Sequence, residues 1–191
     1  MRRKEQIIKV AQNMFREKGY AGTSMRDLAN AVGIEAASLY NHIKSKEDLL
    51  LQICVAVAQD FFDALDEVKN VEMPAEKKLA LVIEKHVAIV TQNLDGAAVF
   101  LHEWRFLRKD NFDRLKNIRK KYRQEFQTIV QAGVEEGVFR NINPKLYSLS
   151  VLSALNWIYD WYKPNGELTP SELAKHCLLY TSDAADDLWC G

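Results

Sequence analysis

The sequence predicts an all-α chain of about nine helices: an N-terminal three-helix unit carrying a helix-turn-helix, then a larger helical region. Two observations predict this class. Apolar residues recur at three- and four-residue spacing almost throughout, and no run alternates convincingly with the period of a strand. Helix starts and stops, among them Ser24, Gly33, Ser45, Pro74, Gly137, Pro144 and Thr169, cut that pattern into segments. At 191 residues and 48% hydrophobic, the chain can bury a sizeable core as one domain or two small ones.

The first helix is expected over residues 3–18, with Ile7, Ile8, Ala11, Met14 and Phe15 on one apolar face. Thr23 or Ser24 caps the second, whose Met25, Leu28, Ala29 and Val32 fall at helical intervals, and Asp27 completes a capping box with Ser24. Gly33 ends it in a left-handed conformation. The third begins near Ala36 and is anchored by Leu39 and Ile43, which leaves Ala37, Ser38, Tyr40, Asn41 and His42 outside. Ser45 to Asp48 opens the fourth immediately, so the third is only about two turns long. Two short helices around a glycine fit a helix-turn-helix, in which the second helix enters the DNA major groove, with an ordinary helical core as the lesser alternative.

The fourth helix continues from Lys46 through Val57, Phe61, Leu65 and Val68, long enough to leave the small unit. Pro74 opens a fifth reaching about Asn93, Asp95-Gly96 breaks the chain, and a sixth covers residues 97–107. The seventh runs over 110–136 and stops at Gly137. The eighth spans 144–162, Pro164-Asn165-Gly166 makes a turn, and Thr169-Pro170-Ser171-Glu172 caps the ninth.

The order R-D-L-A-x-x-V-G-I, S-L-Y-x-H and S-K-E-D-L from Arg26 to Leu49, with the preceding IIKVAQNMFREKGYAG, resembles the N-terminal domain of TetR-family transcriptional regulators. The resemblance implies that Ala37, Ser38, Asn41 and His42 approach base edges, with Asn41 and His42 the polar readers. Thr23, Tyr40 and Lys46 would hold phosphates of double-stranded operator DNA. Ala36 stands where many members carry Lys or Arg, and Ile43 replaces the usual Phe. Residues 1–50 form the expected DNA-binding domain and 51–180 a ligand-binding and dimerisation domain.

Net charge is zero, but its distribution is uneven. Residues 1–50 hold nine Lys/Arg against six Asp/Glu, net +3, and the remainder holds seventeen against twenty, net −3. The basic excess lies with the helix-turn-helix, as a DNA-binding surface requires. No apolar run approaches the ~20 residues of a membrane span, and the N-terminus does not read as a signal sequence, so a cytoplasmic protein is expected. Cys54, Cys177 and Cys190 are odd in number and unpaired by spacing, which indicates free thiols. No catalytic constellation, cofactor motif or metal-ligand spacing is evident; His86 and His102 on separate helices do not make a metal site.

The stretch from Trp104 through the motif W-x-x-x-W-Y-x-P-x-G at Trp157 to Gly166 is similar to the C-terminal domain of a TetR subgroup associated with fatty-acid, acyl-CoA or steroid-degradation regulation. An anionic effector is also suggested by charge. Nine bases lie between Arg105 and Arg123 against Asp110 and Asp113 only, interleaved with apolar residues. Phe100, Trp104, Arg105, Arg108, Arg119, Tyr122 and Arg123 are the ligand-binding candidates, with His102 and Glu103 beside them: an apolar cavity for an acyl chain, and bases for phosphates. The same run also fits a solvated helix face over an ordinary core.

The eighth helix carries apolar residues on more than one face. Leu152, Leu155, Trp157 and Trp161 are the candidate homodimer interface, although an internal core helix fits too. After about His176 the pattern breaks, and residues 181–191 resemble a non-native tail from translated vector or adaptor sequence. The sequence therefore reads as a one-component regulator, a repressor released by a small lipophilic anion such as an acyl-CoA. A helical small-molecule binding protein and a ligand-independent regulator controlled by a protein partner are the alternatives.

Overall fold

The computed structural model describes residues 3–139 and 142–186, with side chains described as far as Leu178. Among the described residues there are nine α-helices and no strand: α1 (Arg3–Gly22), α2 (Met25–Val32), α3 (Ala36–Leu39), α4 (Lys46–Lys69), α5 (Ala75–Gln92), α6 (Leu94–His102), α7 (Lys109–Glu135), α8 (Pro144–Trp161) and α9 (Pro170–Asp186). A 3-10 turn, Glu103–Phe106, joins α6 to the approach of α7. None of these helices is long and apolar enough to cross a membrane.

The chain divides into two compact units, Met1–Gln59 with Asn93–Ile118, and Asp60–Gln92 with Arg119–Gly191. In the first, Ile7, Ala11 and Phe15 of α1 are fully buried, as are Leu28, Leu39, Leu49, Leu50 and Ile53. This unit contains the helix-turn-helix segment and also α6 and the start of α7. Polar contacts fix α6 and the turn after it to α1: Arg16 pairs with Asp95 at 2.9 Å, and the Tyr20 N–H donates to Glu103 at 2.7 Å. In the second unit α5 packs on α8 and α9. Its core includes Leu65, Ile83, Val87, Val90, Phe126, Val130 and Leu155.

Three boundaries differ from the sequence expectation. The first helix extends to Gly22, but Gly19 inside it has φ 74°, so the helical path bends where a residue without a Cβ allows it. Asp95-Gly96 is not a break: Asn93 is the N-cap of α6 and its side chain accepts from the Gly96 N–H at 3.0 Å. A Cβ at Gly96 would lie 2.7 Å from the Asn93 Oδ1, so glycine there belongs to the cap. The third helix is a single turn, Ala36–Leu39, continued by hydrogen-bonded turns through Ile43. The 181–191 tail lies outside the residues whose side chains are described.

Candidate DNA-binding surface and effector region

The helix-turn-helix is set by local bonds. Ser24 and Asp27 form the reciprocal box, with Asp27 N–H donating to Ser24 Oγ at 3.1 Å and Ser24 N–H to Asp27 Oδ2 at 2.9 Å. The hydrogen bonds from Ser24, the side-chain one foremost, hold the Asp27 carboxyl below its ordinary pKa. Gly33 closes α2 at φ 73°, and the Ile34 N–H reaches back to Ala29 O at 3.0 Å, a Schellman-type stop. The chain then re-enters helix at Ala36 with Leu39 and Ile43 buried as anchors. Ala37, Ser38, Tyr40, Asn41 and His42 are all exposed, Tyr40 to 54%. Ala37 and Ser38 lie on the helical turn and Tyr40, Asn41 and His42 on the hydrogen-bonded turns after it; small and hydrogen-bonding groups anchored in this way can approach base edges closely.

Thr23 and Lys46 are placed differently from a phosphate-facing pair. Thr23 is buried, and its hydroxyl donates to Gly19 O at 3.0 Å. The Lys46 ammonium donates to Tyr20 O at 2.8 Å and Thr23 O at 2.7 Å, and stands 4.3 Å over the Tyr20 ring. It caps carbonyls left open at and just beyond the end of α1, where a cation is favoured. Their first role is therefore to join α1, α2 and α4.

The seven effector candidates fall in two groups. Phe100, Trp104, Arg105 and Arg108 belong to the first unit; Arg119, Tyr122 and Arg123 belong to the second. Phe100 is buried. Trp104 stacks on Phe112 with ring centroids 4.9 Å apart, and Arg105 lies 5.8 Å over the indole. Arg108 is 91% exposed and its Nε is 3.3 Å from Glu47. Glu47 also accepts from the Arg108 N–H at 3.0 Å and from Asn111 at 2.9 Å, and these bonds, Asn111 first, lower its pKa. Arg108 and Asn111 thus tie the start of α7 to the start of α4.

In the second unit Arg119 is half-buried and Arg123 exposed. Tyr122 turns its hydroxyl inward to His86 Nδ1 at 3.0 Å. His86 is 2% exposed, with the Phe61 ring 4.5 Å and the Tyr122 ring 5.9 Å from its own. Burial pushes the His86 pKa down to about 3 and the Tyr122 pKa up, so both are neutral at ordinary pH. A side-chain hydrogen bond with Asn156 acts on the imidazole in the opposite sense, favouring its protonated form. Sequence reasoning excludes His86 as a metal ligand and misses it as a buried polar group. The available signal is a titratable residue at helical spacing from Val82, Ile83 and Val90, on the core face that Glu84 and Lys85 avoid.

Of the interface candidates, Leu152 and Leu155 are buried within the chain, 6% and 0% exposed. They are core residues, because the face of α8 that carries them packs inward. Trp157 and Trp161 are 62% and 43% exposed and share the outer surface of α8 with Leu146, Ser150, Ser153 and Ala154.

Family models match both halves of the chain: bacterial regulatory proteins of the tetR family over residues 7–53, and the tetracyclin repressor-like C-terminal domain over 72–183. The chain belongs to the tetR family. As a tetR-family member it is a DNA-binding transcription regulator, with α2 and α3 as its helix-turn-helix. It is 26% identical to the HTH-type transcriptional repressor KstR2 of Rhodococcus jostii, over 95% of this chain and 90% of that protein. It is 27% identical to the fatty acid metabolism regulator protein of Bacillus subtilis, over 69% of this chain and 68% of that protein. Among solved structures, AibR in complex with isovaleryl coenzyme A and operator DNA is 27% identical, with TM-score 0.84, covering 93% of this chain and 97% of that one.

Proposed function

We propose that this tetR-family protein is a cytoplasmic one-component repressor whose homodimer holds a two-half-site operator and releases it on binding a lipophilic anion, an acyl-CoA thioester. The observation that carries the DNA half is the exposed row Ala37, Ser38, Tyr40, Asn41 and His42, on the single turn of α3 and the hydrogen-bonded turns after it, pinned by Leu39 and Ile43. Asn41 and His42 read base edges and Tyr40 holds phosphate. Thr23 and Lys46 serve this surface by fixing the angle between α1 and α4; Lys46 adds its charge to the local field.

The effector half is supported by the bases of α7, by the aromatic cluster around Tyr122, and by the likeness to a regulator bound to isovaleryl coenzyme A. Arg119 and Arg123 pair with the phosphates, as charge-assisted bonds from guanidinium favour. Effector binding needs no bond chemistry: a coupling of ~1 to 3 kcal/mol changes operator affinity by roughly 5- to 150-fold. Trp157 and Trp161 supply the dimer contact, since two large apolar side chains on the exposed surface of α8 gain by mutual burial.

A nuclease footprint of the protein on its own upstream DNA tests the arrangement. Two protected half-sites related by a two-fold axis are expected, with centres one helical turn or a multiple of it apart. Protection of one asymmetric patch, or none, contradicts it.

A further inference from the structure

The helix-turn-helix is bracketed on both sides by one later segment of the chain, residues 103–111, which folds into the same unit. Ahead of α2 this segment holds Tyr20: the Tyr20 N–H donates to Glu103 at 2.7 Å, and the Tyr20 ring stacks on Phe106 with centroids 5.5 Å apart. Behind α3 it holds Glu47, in the first turn of α4. Glu47 Oε1 accepts from the Arg108 N–H at 3.0 Å and from the Asn111 amide at 2.9 Å, and the Arg108 Nε lies 3.3 Å from Oε2.

These bonds complete a helix start that α7 cannot complete for itself. The Phe112 N–H donates to Arg108 O at 2.8 Å, which makes Arg108 the N-cap residue of α7 and Asn111 the third residue of its first turn. In a capping box the N-cap side chain accepts from the first turn, and an acid at that third position accepts from the N-cap N–H. Arg carries donors only, and here Asn111 donates its amide instead of accepting. Glu47 stands in for the missing acid, with the charge that a helix N-terminus favours. The boxes on α2 and α9 pair residues three apart, Ser24 with Asp27 and Thr169 with Glu172. The acceptor for α7 comes from 61 residues away, so its first turn is capped only when α4 is in place. Lys46, the neighbour of Glu47, is bonded to Tyr20 O and Thr23 O. The start of α4 is thus pinned to the end of α1 by one residue and to the start of α7 by the next.

We infer that Glu47 is a positioning residue for operator recognition: by capping α7 from the first turn of α4, it fixes where α4 starts and so where the row from Ala37 to His42 meets the DNA. His42 precedes Lys46 by only four residues, so a shift of that first turn moves the row with it. The inference rests on the operator reading above and adds the contact that holds the reading row against the rest of its unit.

The test is a double-mutant cycle on operator affinity, read by fluorescence anisotropy with the full chain, its own upstream DNA and no effector. It is run at a temperature where circular dichroism shows every variant folded. On charge alone, removing a carboxylate from the DNA-binding unit tightens binding, because phosphates repel it, and Glu47→Ala and Glu47→Gln should behave alike. The positioning role predicts the opposite sign and a split. Glu47→Ala is expected to weaken operator binding about fivefold, the size of a lost hydrogen bond. Glu47→Gln keeps a carbonyl oxygen for Arg108 and Asn111 and should stay within about twofold of the unaltered protein. Asn111→Ala, which removes a partner from the α7 side, should weaken binding about threefold, and the double Ala variant should bind no more weakly than Glu47→Ala alone. Binding by Glu47→Ala that equals or exceeds that of the unaltered protein, equal affinities for the Ala and Gln variants, or losses that add in the double variant overturn the inference and leave the operator reading standing. Should Glu47→Ala fail to fold, Asn111→Ala decides, and an affinity equal to that of the unaltered protein overturns the inference. If the unaltered protein does not prefer its upstream DNA to random DNA, both the inference and the operator reading fall.

Discussion

Neutral burial of His86 makes the stability of the fold depend on pH in a specific window. Its pKa is lowered to about 3 by desolvation, against an ordinary value of 6.5. The unfolded chain therefore binds a proton at this residue as pH falls through 6.5 while the native protein does not. The sign is thus a loss of stability on acidification: the contribution is complete above the unfolded value and declines below it until about pH 3. Between pH 7.5 and pH 5 the loss is about 2 kcal/mol, from the ~1.4 kcal/mol that each pH unit below 6.5 carries. Because the group is buried, solvent screening does not reduce this appreciably. For a chain of this size ~2 kcal/mol corresponds to a fall in Tm of roughly 4–8 °C. Urea unfolding followed by circular dichroism at a series of pH values measures the slope, and His86→Phe isolates it, since the variant keeps an aromatic ring but has nothing to titrate. From pH 7.5 to 5 the unaltered protein should lose about 2 kcal/mol relative to the variant. Parallel pH profiles would refute the neutral buried imidazole.

Three further outcomes follow from the two surfaces. Asn41→Ala should relax base preference at one or two operator positions by about 1–3 kcal/mol, whereas Tyr40→Phe should weaken all DNA sequences alike, which a competition assay with randomised operators separates. Replacing Arg119 and Arg123 by Ala should raise the thioester concentration needed for release at least about tenfold while operator affinity in the absence of effector stays within about twofold, read by fluorescence anisotropy. Trp157→Glu should shift the dimer toward monomer in sedimentation velocity, because a carboxylate on the exposed α8 face has no partner once covered; an unchanged sedimentation coefficient would place the dimer contact elsewhere.

What the sequence disclosed was local. The Ser24–Asp27 and Thr169–Glu172 boxes, the left-handed Gly33 and Gly137, and the brevity of α3 each depend on residues within a few positions of one another. Thr23 and Lys46 were legible as important but not as inward-facing. The carbonyls that Lys46 caps lie 23 and 26 residues earlier in the chain, and only the packing of α4 against the end of α1 brings them together. Leu152 and Leu155 illustrate the same limit. An apolar helix with two faces does not say which one is covered by its own chain, and the burial of Leu155 answers that only in three dimensions. Asp95-Gly96 read as a break, but Asn93 caps a helix there because the Gly96 N–H needed an acceptor at the helix start. His86 went unread because its meaning is the Tyr122 hydroxyl, 36 residues away.

Whether one protein both holds an operator and is released from it by an acyl-CoA is tested most directly by fluorescence anisotropy of labelled upstream DNA, titrated with protein at two salt concentrations and then with a series of acyl-CoA thioesters. The expected result is sequence-specific binding that weakens with salt and is reversed by one chain-length class of thioester, with free coenzyme A inert. Specific binding that no thioester reverses would contradict the effector assignment, and no preference for the upstream sequence over random DNA would contradict the role of the α3 surface.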